Sequence, residues 1–169
     1  MGLIMFMVES LFPPLFLPGA KMGLSNIFSL FALITLGPVD AVIVVLVRTL
    51  LGSMFAGNMS TLMYSLTAGL VSIVVQILLI KCVYPRVSVV AISVVSAVVH
   101  NLTQNVVFCL VSSTPEMYSY MPYLALAGVL AGLVVGFAVT IIVKALPMRT
   151  LGSMLSWQDE GGEQTHGQA

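Results

Sequence analysis

The feature that most constrains this chain is a succession of apolar runs that a water-soluble fold cannot accommodate. From Tyr123 to Leu146 the only charged side chain is Lys144. Leu62 to Val83 is similar, with Gln76 its one polar residue of note. A membrane-spanning helix takes about 20 predominantly apolar residues, and both runs meet that length. The whole chain of 169 residues is 59% hydrophobic and 7% charged. Soluble domains carry about 25% charged residues, so this chain cannot cover a core with a wettable surface. An all-α integral membrane protein is the expected fold class.

Four further segments are shorter or carry more polar residues. Met1 to Phe12 is apolar apart from Glu9 and Ser10 but is too short to span alone. Either its start is lost or misassigned, or it enters the bilayer part way. It has no basic leading region, so it reads as an uncleaved first helix rather than a signal peptide. Leu24 to Leu36 is closed by Gly37-Pro38. Val39 to Phe55 carries Asp40 in its first turn, where a carboxylate suits the helix dipole, and Gly57-Asn58 breaks it. Val87 to Val111 follows the turn at Pro85-Arg86, and Ser112 to Pro122 reads as a polar loop. Residues 1–146 are thus expected to form one bundle of about six transmembrane helices, the first of them short. Residues 147–169 are expected to be a disordered cytoplasmic tail.

The basic residues orient the bundle. Lys81 and Arg86 flank one turn, and Lys144 and Arg149 follow the last segment. An even number of spans separates the two places, so both fall on the cytoplasmic side. Both termini are then cytoplasmic, in the cell membrane, and the loops at 13–23, 56–61 and 112–122 face outward. Lys21 breaks this pattern from within a loop of three prolines and two glycines. Cys82 and Cys109 are expected near opposite faces and unpaired. No Cys/His cluster points to a metal, no cofactor is implied, and no basic cluster exists for nucleic acid.

A few polar groups fall inside the apolar runs. Arg48 lies near the middle of its segment, where a charge costs at least a few kcal/mol unless it faces an interior, water or an acid. It can pair with Glu9, locking two helices, or hold an anionic ligand. His100, Asn101, Gln104 and Asn105 share an arc of roughly 140°, at about 100° per residue. Such a face can line a cavity or glue helices by hydrogen bonds. Asn105 reads as glue; His100, Asn101 and Gln104 read as cavity-lining. With Lys21, Asn26 and Arg48 they can line one outward-opening pocket for a small anionic molecule. Gly128, Gly132 and Gly136 recur every four residues, a stripe suited to close packing within the bundle.

The run Pro18-Gly19-Ala20-Lys21-Met22-Gly23-Leu24-Ser25-Asn26 is followed by Leu36-Gly37-Pro38, by Arg48 through Gly52-Ser53, and by His100-Asn101-Leu102-Thr103-Gln104. Together, across about residues 9–144, these resemble the Gx transporter family, also known as heptaprenyl diphosphate synthase component I. Its loop typically reads PGxKLGLAN, and its fifth helix carries an HNLxQ-type run. That family is similar to the substrate-binding S components of energy-coupling factor (ECF) transporters. The resemblance implies a six-helix bundle that binds a small molecule near the outer face. It implies partners: a transmembrane coupling subunit and cytoplasmic ATPases. It marks Lys21, Asn26, Arg48, His100, Asn101 and Gln104 as ligand-site candidates, with an isoprenoid or quinone precursor, free or phosphorylated, as the ligand class. The first helix departs from the family pattern, being short by half and offering only Gly2 and Ser10 as small docking residues.

No phosphate-binding loop of the GxxxxGK[ST] type is present, so ATP hydrolysis would belong to partners. Prenyl chain elongation needs Mg²⁺ on clustered carboxylates. The only clustered acids are Asp159, Glu160 and Glu163, in the tail. The chain is therefore expected to be no enzyme. The alternative reading is a non-catalytic membrane component associated with heptaprenyl diphosphate or menaquinone biosynthesis. A third is a purely structural membrane protein with buried polar glue.

Overall fold

The computed structural model describes residues 26–56, 59–84 and 86–145. Five α-helices follow one another: α1 (Asn26–Thr35), α2 (Pro38–Ala56), α3 (Met59–Val83), α4 (Val89–Ser112) and α5 (Met121–Ala145). A 3-10 helix, Pro115–Tyr120, joins α4 to α5. No strand occurs among the described residues. The expected first helix and the tail lie outside the described residues.

The boundaries follow local chemistry. Gly37 ends α1 with φ of +103°, a conformation that costs glycine nothing. Pro38 then opens α2, where its missing N–H would be unsatisfied anyway. Ser88 caps α4 by accepting a hydrogen bond from the Ala91 amide at 3.2 Å. Ser113 ends α4 in the left-handed region, φ 52°, and its amide donates to the Cys109 carbonyl. Two stretches differ from the sequence expectation. α3 begins at Met59 rather than Leu62, because Ser60 and Thr61 are absorbed into its first turn. The expected polar loop at 112–122 is mostly the 3-10 helix, started by Pro115 and running directly into α5.

The helices form an all-α membrane protein, apolar outside and polar within. Leu126, Leu130, Val134, Phe137 and Ile141 project outward from α5, and Val39, Ile43, Val47 and Met54 from α2. Exposed apolar surface of this extent marks a membrane-facing molecule. Three helical stretches are long and apolar enough to cross a bilayer: Leu62–Val83, Val89–Ser112 and Pro115–Ala145. Inside, Asn26, Arg48, Gln76, His100, Asn101 and Gln104 are all buried.

The short α1 packs against α2, α3 and α5. Ala32 and Leu33 join Ala41, Val45, Ile73, Ile80 and Ile92 in one core cluster that draws on four helices. Leu30 and Ile34 join Val135 and Val139 of α5 in another. The glycine stripe packs α5 onto α4, as expected. A Cβ on Gly128, Gly132 or Gly136 would come within 2.8, 2.5 and 2.8 Å of the Cα atoms of Val98, Val94 and Val90. Such backbone-to-backbone contact is open only to glycine. Both cysteines are free: Cys82 is exposed at the end of α3, and Cys109 is buried near the opposite end of α4.

Candidate functional site

Arg48 is the one lysine or arginine that the described bundle buries, at 5% exposure. Its Nη2 donates to Asn26 Oδ1 at 2.6 Å, a short charge-assisted hydrogen bond joining α2 to α1. The sequence placed both residues in one pocket, and they are in direct contact. Glu9, the alternative acidic partner, lies outside the described residues, and so does Lys21.

The polar face of α4 divides in function. Asn101 Nδ2 donates to the Leu124 carbonyl of α5 at 3.2 Å, and Asn105 Nδ2 donates to the Met117 carbonyl at 3.1 Å. These two amides tie α4 to its neighbours, which for Asn105 is the expected role. His100 is 6% exposed. Gln104 is 3% exposed, and its Nε2 has no hydrogen-bond partner among the described residues. One to two turns below His100, Gln76 Nε2 of α3 donates to Ser96 Oγ at 2.9 Å, and Ser96 Oγ donates to the Ser93 carbonyl at 3.0 Å.

Antiparallel contacts place these groups in depth. Gly69 of α3 abuts Val45 of α2. Tyr64 packs edge-to-face on Phe108, and Gln76 reaches Ser96, so α3 and α4 run in fixed register. Stepping along those pairs at about 1.5 Å per residue puts Arg48, Ser65 and Gln104 within about one turn of a common level. Ser29 lies one turn along α1 from Asn26. His100 falls about a turn deeper.

Two buried residues at this level carried no signal in the sequence. Ser29 is 2% exposed and Ser65 is 6% exposed, and neither hydroxyl has a hydrogen-bond partner among the described residues. Hydroxyls in apolar helices usually bond back to their own backbone. Thr35, Thr49, Ser53, Thr67 and Thr140 all do so, to carbonyls three or four residues earlier. Ser29 and Ser65 are exceptions that only the coordinates reveal.

Chemically, the level around Arg48 offers hydrogen-bond donors and positive charge. The two described carboxylates, Asp40 and Glu116, lie at opposite ends of the bundle. Among the described residues no group of three or more His, Cys, Asp or Glu side chains could hold a metal.

No curated protein and no solved structure matches the chain. A protein-family model matches residues 1–142, most of the length. On that match the chain belongs to the family described as heptaprenyl diphosphate synthase component I.

Proposed function

We propose that this protein is a membrane-embedded substrate-binding subunit, comparable to an ECF-transporter S component, that takes a small anionic molecule near the outer face of the cell membrane. The observation that carries the reading is Arg48: a cation buried at mid-helix, held by the Asn26 amide, at a level rich in donors. An intramembrane charge is expensive, and such residues mark ligand pathways by default. Lys21, Asn26, Arg48, His100, Asn101 and Gln104 are the proposed ligand-site residues. The chain has no chemistry of its own in this reading. A coupling subunit and cytoplasmic ATPases supply the energy, both termini are cytoplasmic, and the ligand class is an isoprenoid or quinone precursor.

Native mass spectrometry of detergent-extracted protein tests the reading. Wild type should retain an anionic small molecule, and Lys21→Ala and Arg48→Ala should lose it. Wild type without a retained anion, or equal retention in both variants, would refute the site.

The family description favours a second reading, a non-catalytic membrane component beside a prenyl-chain-elongating partner. In this reading the chemistry belongs to that partner. Copurification with a soluble prenyltransferase in place of ATPase subunits would select it.

A further inference from the structure

We propose that Ser29, Ser65 and Gln104 form a donor cradle beside Arg48 for a tetrahedral oxyanion, a phosphoryl-type headgroup rather than a carboxylate. This rests on the anion-binding reading above and narrows its chemistry.

The three groups come from three helices, α1, α3 and α4, and Arg48 comes from a fourth. All three are more than nine-tenths buried. The helices that carry Ser65 and Gln104 turn apolar side chains outward at Met63, Val71, Val95 and Leu110. Their buried polar side chains therefore point into the bundle. Burying a polar group without a partner costs about 1–3 kcal/mol. Three such groups at nearly one depth in the bundle point to a shared partner. Gln104 Nε2 can only donate, and both hydroxyls have forgone the carbonyls that their counterparts use. Asn26 Oδ1, an acceptor at this level, accepts from Arg48, and none of the three donors is bonded to it. The missing partner must therefore supply acceptors. A carboxylate presents its lone pairs in one plane. A phosphoryl group presents three oxygens in three directions, which suits donors converging from separate helices. The remaining unpartnered amide atom, Gln76 Oε1, is an acceptor about three turns away along α3 and lies outside this cradle.

The test uses the full chain purified in detergent. Isothermal titration with inorganic phosphate, pyrophosphate and malonate compares tetrahedral with planar oxyanions, and thermal melts of the ligand-free variants run in parallel. Phosphate or pyrophosphate should bind at least tenfold more tightly than malonate. Ser29→Ala, Ser65→Ala and Gln104→Leu should each weaken that binding about tenfold or more, the loss of one hydrogen bond to a charged group. The same variants should melt no lower than wild type without ligand, because each removes a buried polar atom that has no partner. Malonate binding as tightly as pyrophosphate, lost only on Arg48→Ala, would overturn the cradle and leave the anion site standing. Binding of none of the three would overturn both. A ligand-free Ser65→Ala that melts well below wild type would assign that hydroxyl to the fold and refute its place in the cradle.

Discussion

Replacing Gly132 by alanine should damage this protein more than any other single methyl added to the glycine stripe. The new Cβ would sit 2.5 Å from Val94 Cα and 3.0 Å from both Val94 N and Ser93 O. Carbon atoms rest at about 3.5–4.0 Å, so α5 must withdraw from α4 by about 1 Å. The obstructing atoms are backbone, and no rotamer change relieves them. Overpacking of this kind costs about 1–3 kcal/mol. The withdrawal also stretches the Asn101–Leu124 hydrogen bond, now 3.2 Å, past useful length, adding about 1 kcal/mol. The expected total is about 2–4 kcal/mol, read as a fall in melting temperature in detergent. Gly69→Ala is the matched control. Its Cβ meets only Val45 Cγ1, at 2.9 Å, one side-chain methyl rather than main chain. It should cost about 1 kcal/mol, the low end of such overpacking. Equal melting of the two variants, or wild-type melting of Gly132→Ala, would refute the backbone-contact account of the stripe.

Three further outcomes are expected. Asn26→Ala should destabilise by about 1.5–3 kcal/mol by removing an acceptor from a buried cation, and the double variant with Arg48→Met should cost less than the sum of the singles in chemical denaturation. Ser96→Ala should cost about 1–2 kcal/mol by stranding Gln76 Nε2, whereas Gln76→Leu should be close to neutral because Ser96 keeps the Ser93 carbonyl; melting curves separate the two. A membrane-impermeant maleimide should label the exposed Cys82 in inside-out vesicles and not in intact cells, and should leave the buried Cys109 unmodified; labelling in intact cells would reverse the proposed orientation.

Much of the bundle was legible from the sequence because lipid imposes a simple rule: an apolar run of sufficient length becomes a helix. That rule placed α4 and α5 within two residues at each end, and Gly37-Pro38 fixed the break between α1 and α2. It erred where polar residues sit at helix ends. Ser60 and Thr61 resembled a loop, yet lie in the first turn of α3. Ser113 through Tyr120 resembled another, yet Pro115 begins a helical turn. The candidate site was legible in part for the same reason. An arginine in an apolar run must be accommodated, so Arg48 drew notice at once. Its bond to Asn26 depends on how α1 and α2 fold back on each other, which spacing alone does not give. Ser29 and Ser65 were illegible, because a serine in such a helix ordinarily satisfies itself.

The glycine contacts between α4 and α5 bear on how this molecule can move. Val90, Val94 and Val98 meet Gly136, Gly132 and Gly128 main chain to main chain, with no side chain between to act as a bearing. Sliding by one residue would drive a valine into the opposing backbone, so the pair behaves as a single stiff plank. Any rearrangement among the described helices must therefore be borne by the other joints.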